Sequence, residues 1–178
     1  AGGARRATSS TPGTSRGSGR SSTEMDDRLL LDAMLGKLAT YLRMCGYDAA
    51  YVLDGIDDPT AGPTDDEIIA QSRQSDRAVL TRDRELAARA DDGVLLRSRE
   101  VVDQLSELRA AGYDLSLDAT PTRCGACNGP VDAVDPGESV PAYAPDPADT
   151  DCFRCRECRQ VFWKGGHWDD VRTTLGSM

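Results

Sequence analysis

The chain has 178 residues, a formal charge of -9 and only two lysines, Lys37 and Lys164, against 30 acidic residues. That length holds one moderate core plus an appendage too small to fold without a staple. No apolar run approaches the roughly 20 residues a membrane-spanning helix needs, and no leader-like stretch opens the chain, so the expectation is a cytoplasmic protein with no membrane partner.

The acid excess is mostly aspartate, 23 Asp against 7 Glu. A dense carboxylate surface of this kind resembles proteins of salt-loaded cytoplasms and predicts a halophilic setting. Read so, the charge neither supports nor excludes a nucleic-acid partner, although phosphate binding ordinarily rests on clustered Lys and Arg.

Residues 1–24 are rich in Gly, Ser, Thr and Arg, a composition that predicts a disordered extension. Met25, just before the first apolar run, is a plausible natural start, and a basic arm tethering RNA is the lesser reading. Residues 25–118 alternate short apolar runs with helical patterns, as a parallel sheet with crossover helices requires. The expected strands cover residues 29–31, 49–53, 78–81 and 94–96. The expected helices cover 35–44, 67–72 and 101–111. Residues 119–178 form a cysteine-bearing unit and tail, interrupted by a Pro- and Asp-rich loop over 136–151.

Two tight turns, Cys124-x-x-Cys127 and Cys155-x-x-Cys158, supply four thiolates, enough to close a tetrahedral structural zinc site with no open position for chemistry. In a reducing compartment this pairing favours Zn2+ over disulfides. Cys152 has the same spacing to Cys155, but strands flank the turn symmetrically only if the turn is 155–158, so Cys152 is a spare thiol. Cys45 lies on the apolar face of the first helix and belongs to the core.

Ligands of open α/β sheets gather outside the carboxyl ends of the strands. Asp32 and Asp83 both fall there, and converging aspartates hold hard cations such as Mg2+ or Mn2+. A third acid is expected from residues 65–67, where Thr64 and Glu67 also read as an ordinary capping box. Asp83 in turn reads equally as the cap of the helix that follows. One histidine, His167, excludes a two-histidine mechanism of RNA cleavage. Aromatic and cationic side chains crowd residues 162–168, where Lys164, His167 and Trp168 are candidate RNA contacts. Packing of the ribbon is the alternative for Phe162 and at least one tryptophan.

The motifs Asp32-Ala-Met-Leu-Gly36-Lys37, Arg43-Met-Cys-Gly46-Tyr-Asp48, Asp65-Asp-Glu-Ile68, Leu80-Thr-Arg-Asp83, Gly93-Val-Leu-Leu-Arg-Ser98 and the cysteine tail ending at Trp168 resemble, in order, the Mut-seven C-terminal RNase domain family. The resemblance covers residues 29–168. It implies a PIN-like three-layer α/β sandwich with a parallel sheet and a C-terminal zinc ribbon. It implies metal-dependent hydrolysis of RNA, with Asp32, Asp65 and Asp83 as Mg2+ or Mn2+ carboxylates, and Lys37 and Arg82 beside the phosphate. Gly166 departs from the family's closing signature, and a fourth acid is represented only by Glu100 or Asp103. A non-catalytic RNA-binding or ribosome-associated adaptor on the same scaffold is the competing function. A toxin of a toxin–antitoxin pair fits the α/β half but not the ribbon.

Overall fold

The computed structural model describes residues 28–178 except 57, 59, 61 and 118. The extension expected over residues 1–24 therefore lies outside the described residues. Four strands, β1 (Arg28–Leu31), β2 (Asp48–Tyr51), β3 (Ala78–Thr81) and β4 (Gly93–Leu95), form an all-parallel sheet in the order β2-β1-β3-β4. Central β1 and β3 are apolar at nearly every position because helices cover both faces, as parallel strands require.

Alternation along the strands divides the core. Leu29, Leu31, Ala49, Ala78 and Leu80 face one side and pack with Leu38 and Leu42 of α1 (Gly36–Met44) and Leu105 and Leu108 of α4 (Val101–Ala110). Leu30 and Val79 face the other and meet Ile68 and Ile69 of α2 (Asp65–Ser75) and Leu86 of α3 (Arg84–Arg89). Crossovers carry the chain from each strand's carboxyl end into a helix, which collects the β1, β3 and β4 exits at one edge of the sheet.

A second, antiparallel sheet contains β5 (Val131–Ala133), β6 (Cys152–Cys155) and β7 (Val161–Trp163), in that order. Its own core is small: Val134, Cys152 and Val161, with Val140 and Ala144 against them. Residues 136–151 hold no helix or strand, as the sequence leads one to expect.

Two helices received no bounds from the sequence, although one was expected after Asp83. Six-residue α3 is too short to display a helical period. The second, α5 (Gly166–Gly176), starts and ends on glycine. It returns from the ribbon to the first unit: Val171 and Leu175 join the core of the parallel sheet, and Arg109 on α4 donates to the carbonyls of Leu175 and Met178. Residues 119–178, expected as a unit apart, thus contribute apolar mass to the α/β core.

Candidate active site and metal centre

Asp32 directly follows β1 and is buried, 8% exposed, at the carboxyl edge of the sheet. Its Oδ1 accepts from the Ala33 N–H at 2.5 Å, and its Oδ2 accepts from the Thr81 hydroxyl at 2.7 Å. The Thr81 oxygen in turn accepts from the Asp83 N–H at 2.9 Å. One buried hydroxyl at the end of β3 thereby links the Asp32 carboxylate to the backbone of Asp83. Thr81→Val removes both bonds at constant shape and leaves a buried carboxylate short of a donor, so a loss of about 1–3 kcal/mol is expected in urea unfolding. An unchanged unfolding midpoint would show that this hydroxyl does not hold Asp32.

Tyr51, at the end of β2, closes another side of the site: its hydroxyl donates to the Ala33 carbonyl at 2.8 Å. Burial, with the charges of Asp54 and Asp32, raises its phenol above the ordinary range, so it stays protonated. Gly36 makes room for it, since a Cβ there would lie 3.1 Å from the Tyr51 ring.

Asp83 caps α3, its Oδ1 accepting from the N–H groups of Glu85 and Leu86 at 2.7 and 3.1 Å. Only that oxygen is committed by capping. Asp65 sits at the first position of α2, about half exposed, with its carboxylate 3.8 Å from Arg89, which also pairs with Asp66. The capping box of Thr64 and Glu67 is formed in both directions. The structure thus ties Asp32 to Asp83 through Thr81 but leaves Asp65 with Arg89. Among the described residues the three carboxylates do not form a group with all ligand atoms within 4.8 Å.

A cleft of about 320 Å³ opens between the start of α1 and the start of α4, lined by residues that follow Asp32 in the chain, Met34 and Lys37 among them, and by Arg99 and Glu100. Glu100 is the N-cap residue of α4 but makes no side-chain capping bond, and Asp103 is exposed on the first turn without lining the cleft. Arg82 has its Nε shut from solvent without a hydrogen-bond partner, and its Nη1 finds only the Met34 sulfur, at 4.0 Å.

The four cysteines converge as their spacing predicts. Cys124 and Cys158 sulfurs are 3.8 Å apart, those of Cys127 and Cys155 are 3.5 Å apart, and all four lie within 4.8 Å of one another. A tetrahedral ion with metal–sulfur bonds of about 2.3 Å spaces its sulfurs by about 3.8 Å, so the quartet fits a metal of the zinc type. Cys152, the first residue of β6, is buried outside the quartet, and the turn is indeed 155–158. After each Cys-x-x-Cys turn the next residue, Asn128 or Arg159, takes a left-handed backbone, φ +66° and +64°, that bends the chain back. Gly129 admits the second turn to the first: a Cβ there would stand 3.0 Å from the Cys155 sulfur. Burial pushes the Cys127 thiol up to about 12 and raises Cys124 as well. At Cys155 burial acts the same way, but the N–H groups of Cys158 and Glu157 outweigh it and lower the thiol. A bound cation would displace the protons that such thiols retain.

The arrangement is an acid pair at the carboxyl edge of a parallel sheet, followed by a four-thiol ribbon, and the model of the Mut7-C RNAse domain family matches residues 27–175. The chain belongs to that family. No curated protein and no solved structure matches the chain.

Two segments of the Mut7-C RNAse domain that are far apart in sequence meet at the ribbon's attachment. Arg43 on α1 is 3% exposed and has every donor nitrogen engaged: Nε to the Ala49 carbonyl, Nη1 to the Gly125 and Ala126 carbonyls of the first cysteine turn, and Nη2 to Asp54 at 2.5 Å. Asn128 accepts from the Ala49 N–H at 2.9 Å and donates to Asp48 at 2.6 Å, so the ribbon covers the outer edge of β2. Asp48 also meets Arg77 at 2.8 Å and Arg123 at 3.5 Å. Nothing local in the sequence announces these bonds.

Burial pushes the Asp48 carboxyl up, but Arg77 and Asn128 outweigh it, and the acid lies below its ordinary 3.8. A lowered acid favours the folded state above pH 3.8 and loses that contribution as pH falls through its folded value. Asp48→Asn is therefore expected to be less stable than the parent by a constant amount above about pH 5, with the gap narrowing below pH 4. Urea midpoints of the two proteins at pH 6 and pH 3 check this, and a gap that widens in acid would contradict it.

In the tail, Trp168 is 6% exposed and its ring lies 5.5 Å from the Lys164 ammonium, which also bonds the Ala119 carbonyl. Both residues, expected as RNA contacts, have packing roles here. Trp168 nevertheless lines the cleft between α1 and the ribbon together with Trp163, 37% exposed, and the exposed His167.

Proposed function

We propose that this chain is a metal-dependent endoribonuclease that hydrolyses RNA phosphodiester bonds at the carboxyl edge of a PIN-like sandwich, with Zn2+ in the four-thiol ribbon. The observation that carries the reading is the buried Asp32, linked through Thr81 to Asp83, in a chain of an RNAse family. Mg2+ is commonly held by one or two carboxylates, with water and substrate phosphate completing its shell, so this pair fits one Mg2+ or Mn2+ ion. Such an ion, when bound, supplies charge neutralisation at the phosphate and activation of water. Asp32 and Asp83 would hold it. Lys37 and Arg82 neutralise the substrate phosphate. Asp65 joins the pair only by releasing Arg89, and Glu100, in the Lys37 cleft, is the better placed additional acid.

The ion pair of Asp65 favours a second reading, a non-catalytic RNA-binding adaptor, which has no need of three converging acids. Incubating end-labelled single-stranded and structured RNA with the zinc-loaded protein separates the two, at high and low salt as the acidic surface demands. Internal cleavage that appears only with Mg2+ or Mn2+ supports the nuclease. Intact RNA under every condition, from folded protein, supports the adaptor.

A further inference from the structure

Between α1 and the ribbon lies a second cleft, of about 310 Å³, on whose walls stand Thr40, Met44, Arg123, Phe162, Trp163 and His167. Among the described residues no carboxylate lines it, although 30 of the 178 residues are acidic. Its volume is that of a small-ligand site, and its lining is apolar and aromatic with the polar side chains of Arg123, Gln160 and His167 at hand. We propose that this cleft binds one unpaired nucleobase of single-stranded RNA, an inference that rests on the ribonuclease reading for the identity of the polymer.

Three observations select that occupant. Trp163 is a large apolar side chain left 37% exposed at the cleft, and its indole is seated by the chain itself: a Cβ at Gly165 would stand 2.9 Å from its Nε1. A pre-seated, accessible indole offers a stacking face at little cost in ordering. Next, Arg123, which also pairs with Asp48, and His167 line the same cleft, and among the described residues no acid stands on its walls, which makes it complementary to a base carrying its phosphate in an otherwise anionic chain. Finally, Lys37, Thr40 and Met44 are spaced three and four residues apart on α1, so they share one stripe of the helix. Lys37 lines the cleft between the starts of α1 and α4, while Thr40 and Met44 line this one, so the stripe joins the two clefts over roughly 10 Å of helix. A strand laid along it passes from the acid pair to the ribbon. A duplex does not fit, because its bases are not free to enter.

The test is equilibrium binding of a short oligouridylate to the zinc-loaded protein in buffer without added Mg2+ or Mn2+, read by tryptophan fluorescence and by polarisation of a labelled strand. The expected result is quenching by the single strand, weak binding of the matching duplex, and roughly ten-fold weaker binding of the single strand by Trp163→Ala. The same oligomer with one abasic position, scanned along its length, is expected to lose affinity sharply at a single position with the parent protein, a readout that needs no variant to fold. Equal affinity of parent and zinc-loaded Trp163→Ala, or a flat abasic scan, overturns the proposal. Cleavage that persists with either of those outcomes leaves the nuclease reading standing. Base binding by a folded protein that cleaves no RNA even with Mg2+ or Mn2+ removes the nuclease reading and keeps this site.

Discussion

Stripping the metal from the four-thiol centre is expected to unfold the ribbon while the parallel sheet remains folded. The ribbon's own core amounts to Val134, Cys152 and Val161, far less apolar mass than a three-stranded sheet needs to stand alone. Structural zinc in small domains supplies on the order of 10–16 kcal/mol of apparent binding energy, which is folding energy when the empty site does not persist. The four-stranded sheet has separate support in Leu29, Leu30, Leu31, Val79 and Leu80, all fully buried. Hydrogen exchange after treatment with a strong zinc chelator, or in Cys127→Ser, is expected to show lost protection in β5, β6 and β7 with β1 and β3 still protected. Unchanged protection across the ribbon would mean that the thiols do not hold it together.

The second large effect is expected from Arg43→Met. The substitution keeps the apolar stem but strands the carbonyls of Ala49, Gly125 and Ala126 and the carboxylate of Asp54. Removing one partner of a buried charged network costs about 3–5 kcal/mol, and Asp54, a third exposed, recovers part of its hydration, which puts the expectation near 3 kcal/mol. For a domain of this size that corresponds to roughly 6–12 °C in Tm. Because two of the lost bonds end on the first cysteine turn, zinc should also leave faster to a chelator. A Tm within about 2 °C of the parent, with unaltered zinc release, would show that Arg43 does not clamp the ribbon.

What the sequence discloses follows the range of the interactions. The four strands were legible because alternating or continuous apolar runs report burial locally, and the quartet was legible because each half is a four-residue turn. The capping roles of Thr64 and Glu67 were legible for the same reason, as was the spare status of Cys152. Arg43 and Asn128 belong to motifs that could be quoted, but their purpose is set by contacts across some 80 positions, such as Asn128 on Ala49, which no periodicity encodes. Thr81 was visible only as a strand residue; its hydroxyl matters because β1 and β3 are neighbours, and strand order is a tertiary fact. The two tryptophans could not be told apart in composition. Placement of Trp168 at the start of α5, a helix hidden between glycines, buries one and leaves Trp163 at the cleft.

The claim that joins these parts is that the pair of buried Asp32 and exposed Asp83 is the centre of an RNA hydrolase. It is tested most directly by the cleavage rate of Asp32→Asn, zinc-loaded and shown to be folded, measured beside the parent on the same RNA with Mg2+ or Mn2+. Asparagine keeps the shape and an acceptor for the Ala33 N–H but removes the charge that holds a cation. A fall of at least about a hundred-fold is expected. Cleavage by Asp32→Asn at the parent rate would contradict it and move the chemistry away from this edge of the sheet.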